Sequence, residues 1–205
     1  MKKNLFIALE GIDGSGKSTQ VKLLSESLSQ SGHKVYTTFE PTKSEMGVMI
    51  RNIFSGKIEA DQGTIASLFL ADRFNHILNR TDGLLKKMEE GYTVITDRYY
   101  FSSYAYHSVH MPMNWVIDMN KPCSELLRPD ITIYIDILPE VSMDRIIKNR
   151  ESTELYETLE NLTAVRNKYL EAFEILKEDE KVFRTDGNRE PELIAKDIFN
   201  KIITL

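Results

Sequence analysis

The apolar run Leu5-Phe6-Ile7-Ala8-Leu9, followed by Gly11-Ile12-Asp13-Gly14-Ser15-Gly16-Lys17-Ser18 and then a helical pattern, narrows the fold more than any other stretch. Five consecutive apolar residues read as a strand covered on both faces. The glycine-rich turn fits G-x-x-x-x-G-K-[ST] and sits where that motif has meaning, after a strand and at the start of a helix. Glycines there let successive backbone N–H groups point into one concavity, and the N-terminal end of the following helix adds positive potential. Lys17 then bridges the outer phosphates of a nucleoside triphosphate, the Ser18 hydroxyl reaches Mg²⁺, and Thr19 continues the same turn. Gly11 to Thr19 is thus a candidate loop for a nucleoside triphosphate.

The rest of the chain repeats the alternation. Leu5–Leu9, Lys34–Phe39, Tyr92–Thr96, Ile131–Asp136 and Lys181–Thr185 read as strands. Between them, Lys17 to Ser31, Thr64 to Arg80 and Leu193 to Ile203 read as helices. Leu155, Leu159, Leu162, Tyr169, Phe173 and Leu176 recur at helical spacing and mark one long amphipathic helix. Strands alternating with helices predict parallel βαβ units: an α/β three-layer sandwich around a five-stranded parallel sheet, of the P-loop NTPase type, over a single domain spanning 1–205. In such sheets ligands lie beyond the carboxyl ends of the strands, which directs attention to the loops there.

Composition excludes several alternatives. The formal net charge of −5 argues against a general nucleic-acid or membrane-surface binder. One cysteine, Cys123, allows no internal disulfide; following a proline, it reads as a half-buried loop residue. The four histidines lack metal-ligand spacing. No stretch has the length of a membrane span, and the N-terminal lysines with their short apolar run fall short of a signal peptide, so a cytoplasmic location is expected. A guanine-nucleotide switch, the leading non-enzymatic alternative, needs N-K-x-D; here Asn120-Lys121 continues Pro122-Cys123.

The third strand ends in Asp97-Arg98-Tyr99, close to the phosphate loop. Asp97 can hold Mg²⁺ through water or orient an acceptor, and Arg98 can straddle donor and acceptor phosphates. In the helix between the second and third strands, Phe69 and Arg73 are four residues apart and share a face. An aromatic plate beside a guanidinium suits a nucleobase, giving a stacking surface and donors for a carbonyl.

Together these residues carry a resemblance to the thymidylate kinase family, nucleoside monophosphate kinases that phosphorylate dTMP with ATP. It covers essentially the whole chain: Glu10-Gly11-x-Asp13-Gly14-x-Gly16-Lys17-Ser18, Glu40-Pro41, Phe69…Arg73, and Asp97-Arg98-Tyr99…Ser102…Ala105-Tyr106 occur in order. The resemblance makes Gly11 to Thr19 an ATP-binding loop and implies a dTMP site made of Asp13, Glu40, Pro41, Arg51, Phe69, Arg73, Arg98, Ser102, Ser103 and Tyr106. Phe69 would stack on thymine, Arg73 bind its O4, Ser103 face the base edge, and Tyr106 exclude a ribose 2′-hydroxyl. Arg51 and Arg98 would grip the acceptor phosphate, Pro41 would lie near the thymine methyl, and Asp13 would position Mg²⁺ or the acceptor sugar. A cis bond at Glu40–Pro41 is left open. Pro139 would open a helix carrying Arg145, which lies against adenine, and a lid at about 148–158 would bring Arg150 to the transferring group. Lys17, Asp13, Arg98, Asp97 and Arg150 form the implied catalytic set, with Ser18 and Asp97 at Mg²⁺. A homodimer is implied, with apolar residues around Asp72–Leu85 as its interface.

The chain departs from the family in three places. Gly14 stands where some members have an arginine, Leu155 where the lid often has one, and His107 where a small or amide residue is usual; His107 reads as a satisfied surface histidine. One rival enzyme stays in view. A deoxyribonucleoside kinase would use Glu40 as the base that activates a 5′-hydroxyl.

Overall fold

The computed structural model describes residues 4–149, 156 and 158–205. Five strands, β1 (Phe6–Glu10), β2 (Val35–Phe39), β3 (Thr93–Asp97), β4 (Ile131–Asp136) and β5 (Val182–Asp186), form one parallel sheet in the order β2-β3-β1-β4-β5. The register pairs Phe6 with Val94, Ile7 with Ile131, Tyr36 with Val94, and Thr132 with Val182.

Around the sheet lie α1 (Lys17–Gln30), α2 (Glu45–Phe54), α3 (Gln62–Leu78), α4 (Leu84–Glu89), α5 (Tyr100–His107), α6 (Met113–Leu126), α7 (Pro139–Asn149), α8 (Leu159–Ile175) and α9 (Pro191–Ile202). Alternate residues of the central strands feed two separate cores. Leu5, Ile7 and Leu9 pack with Leu24 and Leu28 of α1 and with Ile194 and Ile198 of α9. Phe6 and Ala8 pack on the other face with Ile77, Tyr104, Val165 and Tyr169. Burial on both faces explains why β1 reads as an unbroken apolar run.

The expected strands and helices are present with small shifts. β1, β3 and β5 each continue one residue past the expected end, into Glu10, Asp97 and Asp186. The apolar pattern stops at the last core residue, but the ladder continues to the carboxylate that faces the ligand end of the sheet. α3 begins two residues earlier than expected because Asp61 caps it, accepting a hydrogen bond from the Thr64 N–H at 3.0 Å. The long helix of the C-terminal half starts at Leu159; Leu155 lies outside the described residues. Cys123 is corrected from a loop residue to a fully buried position inside α6, one residue after Pro122. No helix among the described residues is long and apolar enough to cross a membrane.

Candidate active site

The first strand delivers the chain into the phosphate loop at the carboxyl end of the sheet. Gly16, with φ +94°, precedes the first turn of α1. Gly14, with φ +72°, is left-handed, and a Cβ there would come within 2.9 Å of the Ser142 carbonyl oxygen. α7 therefore docks directly on the loop, and the Ser142 hydroxyl donates to the Asp13 carbonyl. An arginine at position 14 has no room unless α7 moves.

Lys17 is buried. Its Nζ donates to the carbonyls of Gly11 and Ile12 at 3.1 and 3.0 Å. Burial, reinforced by the Arg98 guanidinium, lowers its pKa to about 8. The Ser18 hydroxyl donates to Asp97 Oδ2 at 2.8 Å, bringing together two hard oxygen ligands from different elements. A hydroxyl and a carboxylate open to solvent suit Mg²⁺, which keeps several waters.

Arg98 is the only non-glycine residue with positive φ (73°) among the described residues. Such backbone conformations cost on the order of 1–3 kcal/mol and persist only where the surroundings hold them. Here the surroundings are a partly buried polar network. Arg98 Nη1 donates to the Gly11 carbonyl and to Ser102 Oγ, both at 3.0 Å. Its Nη2 reaches Asp13 Oδ1 at 2.5 Å and the Tyr106 hydroxyl at 3.2 Å. Tyr106 in turn donates to Asp13 Oδ2 at 2.8 Å. Burial alone would raise the pKa of Asp13, but Arg98 and Lys17 outweigh it and hold the carboxyl below its ordinary range.

Glu10 anchors this turn, a role that the strand-ending glutamate did not announce. Fully buried, it accepts hydrogen bonds from the backbone N–H groups of Tyr99 (2.8 Å) and Ser102 (3.2 Å), and from the Ser102 (2.6 Å) and Tyr169 (2.8 Å) hydroxyls. Desolvation raises its pKa despite these donors. The signal that could have exposed it is a carboxylate at the end of an otherwise apolar central strand.

Two cavities meet at this network. The larger, about 1260 Å³, runs from Asp13–Ser18 past Asp97 and Arg145 to the loop at 187–191. Arg145 Nη2 donates to the Gly187 carbonyl at 3.0 Å. The smaller, about 430 Å³, is lined by Pro41, Arg51, Phe69, Ser102, Ser103 and Tyr106, among others. Asp13, Phe39 and Arg98 line both. The Glu40–Pro41 bond is cis, and Arg51 donates to the Pro41 and Thr42 carbonyls at 2.8 and 2.6 Å.

Three expected residues stand differently. Arg73 is fully buried and does not line the smaller cavity; it contacts Glu40, Ser103, Asn120 and the Tyr99 carbonyl. Glu40 is held by Arg73 at 2.7 Å and by His76 Nδ1 at 3.0 Å. His107, expected on the surface and satisfied, is corrected: it is buried, lines the smaller cavity 5.2 Å from the Phe69 ring, and its Nδ1 has no partner. It ends α5, whose other positions are nearly all core, so burial follows from the helix rather than from the residue type. Arg150 lies outside the described residues, as do 151–155 and 157 of the expected lid at 148–158.

A parallel sheet, a phosphate loop with its lysine and a second cavity joined to it through an arginine define a P-loop phosphotransferase that brings two phosphorylated ligands together. Residues 9–198 match the family model described as thymidylate kinase. A probable thymidylate kinase of Pyrococcus horikoshii is 40% identical over 182 residues, 86% of each chain. One from Methanococcus aeolicus is 36% identical over 98% of this chain and 96% of its own. The thymidylate kinase of Caldicellulosiruptor saccharolyticus is 34% identical over 98% and 94%. The chain belongs to the thymidylate kinase family.

Proposed function

We propose that this chain transfers the γ-phosphoryl group of ATP to dTMP, giving ADP and dTDP for deoxynucleotide synthesis, with 1–205 acting as one functional unit. The observation that carries this reading is the sharing of Asp13 and Arg98 by the two cavities, which sets a cation where a donor and an acceptor phosphate would meet.

The acceptor phosphate is already largely dianionic at neutral pH, its second pKa being about 6. No general base is required, only alignment and neutralisation of charge. ATP lies along the larger cavity, its phosphates on the loop N–H groups, Lys17 turning from the Gly11 and Ile12 carbonyls to the outer phosphates, and Arg145 beside adenine. Ser18 and Asp97 hold Mg²⁺, which supplies charge neutralisation when bound. dTMP enters the smaller cavity with its base on Phe69, Pro41 beside the methyl, Tyr106 against the sugar, and its phosphate between Arg51 and Arg98. Ser102 holds Arg98 in place, Asp13 orients it, and Arg150 of the lid at about 148–158 adds positive charge.

A nucleoside kinase would need Glu40 as a base. Its pairing with both Arg73 and His76 opposes that use. We further propose a cytoplasmic homodimer; around Asp72–Leu85, Leu78 at the end of α3 is 49% exposed and supplies apolar surface for it. Coupled ADP release with Mg-ATP tests the function: turnover of dTMP supports it, and turnover of thymidine without dTMP refutes it.

A further inference from the structure

Resting on the reading of Arg51 as a holder of the acceptor phosphate, we infer that Asp72 is a positioning residue for that phosphate, acting through the turn 41–44 on the Arg51 guanidinium. Asp72 lies in α3 and is fully buried. A buried carboxylate ordinarily has a cation against it. The partners of this one among the described residues all belong to a single turn, and none carries charge. Its Oδ2 accepts from the Thr42 N–H at 2.7 Å, and its Oδ1 accepts from the Thr42 and Ser44 hydroxyls, each at 2.6 Å. Both hydroxyls also accept from the backbone: Thr42 Oγ1 from the Ser44 N–H at 3.1 Å, and Ser44 Oγ from the Gly47 N–H at 3.2 Å. Their own protons are therefore directed at Asp72, which fixes the turn in one hydrogen-bonding arrangement.

The compensating charge stands one peptide group away. The N–H that Asp72 receives belongs to the same peptide as the Pro41 carbonyl, which accepts from Arg51 Nη1 at 2.8 Å. The next carbonyl, that of Thr42, accepts from Arg51 Nη2 at 2.6 Å. A carboxylate on the N–H side and a guanidinium on the C=O side polarise the Pro41–Thr42 peptide in the same direction, so each bond strengthens the other. Asp72 also fixes where the arginine starts. Ser44, which it orients, caps α2, the helix that carries Arg51. A Cβ on Gly47 would come within 1.9 Å of the Thr42 carbonyl oxygen, so the helix and the turn are in direct contact. One buried carboxylate thus sets both the backbone and the head of Arg51. Two of its five N–H groups are spent on the carbonyls, and three remain for a ligand in the smaller cavity, which Arg51 lines. An exposed side chain held this way has already given up rotamer freedom that it would otherwise lose on binding phosphate.

The test compares the parent, Asp72→Asn, Arg51→Ala and the double variant, with equilibrium binding of dTMP and of thymidine read beside kcat and KM. Asp72→Asn should weaken dTMP binding about tenfold and change thymidine binding and KM for ATP less than about twofold, because thymidine offers Arg51 no phosphate. Arg51→Ala should lower kcat/KM for dTMP at least about thirtyfold, and adding Asp72→Asn to it should cost less than about threefold more. Equal weakening of dTMP and thymidine by Asp72→Asn would make Asp72 a residue of the fold alone and overturn the inference. So would losses that multiply in the double variant. Independent of any variant's folding, the Thr42 amide proton of the parent should resonate downfield and shift more on addition of dTMP than of thymidine; equal shifts also overturn the inference. A parent inactive on dTMP overturns the functional reading first, and this inference with it.

Discussion

At the scale of single residues the site gathers positive charge that Asp13, Asp97 and Glu10 offset only in part. Lys17 is buried beside Arg98 and has a pKa of about 8, below that of a free lysine. Because the folded value is depressed, the protein binds this proton less tightly than the unfolded chain does, and this penalty on stability disappears as pH rises above about 8. Bound phosphates reverse the shift. ATP binding at about pH 9 should therefore take up close to one proton through Lys17, and at about pH 6.5 none through this group. Calorimetry in buffers of different ionisation enthalpy measures the difference; equal uptake at both values would place Lys17 away from the phosphates. Lys17→Ala should abolish turnover with circular dichroism unchanged, whereas retained activity would remove it from the site. Gly14 is constrained by position instead of charge. With φ +72° and the Ser142 carbonyl where a Cβ would go, Gly14→Ala should destabilise the protein by at least about 1–2 kcal/mol, read as a lowered denaturation midpoint.

At the scale of elements, the central strands β1, β3 and β4 were legible because their residues are buried on both faces, and the edge strands β2 and β5 by their β-branched and aromatic residues. α1, α3, α8 and α9 were legible because their apolar periodicity is plain. α5 and α6 went unread for a physical reason. α5 is buried almost all round, so Tyr100 to His107 has no polar face to set a period. α6 carries Pro122 within it, which reads as a break although the helix continues to Leu126. The phosphate loop was readable in full, since its chemistry needs fixed residues at fixed spacing. The partners of Arg73 were not, because Glu40, Ser103 and Asn120 come from three distant segments. The turn from β3 into α5 shows how such elements cooperate: Glu10 and Tyr169, from β1 and α8, hold Arg98 in its left-handed conformation. Tyr169→Phe keeps the ring and removes its donor to Glu10. It should lower kcat several-fold, on the order of the cost of one hydrogen bond to a charged group, with KM for ATP unchanged. Loss of thermal stability alone, with kcat intact, would make Tyr169 a packing residue.

At the scale of the whole molecule, the sheet order places β3 beside β1, so Asp97-Arg98 comes against the phosphate loop and the two cavities share one guanidinium. The larger cavity, the proposed donor side, is open and holds the phosphate loop; the smaller, the proposed acceptor side, is lined with aromatic rings, which suits a single base. If the proposed pair forms through the α3 edge, sedimentation should give about twice the monomer mass of 23.6 kDa, and Leu78→Asp should return it to the monomer. The most direct measurement of the central claim is coupled ADP release from Mg-ATP across dTMP, dUMP, the ribonucleotide of thymine, dCMP, AMP and free thymidine. Turnover should be greatest with dTMP, weaker with dUMP and near zero with the ribonucleotide, dCMP, AMP and thymidine. Turnover of thymidine without dTMP, or equal turnover of dTMP and dCMP, would contradict an acceptor site built to hold the phosphate of dTMP and read its base.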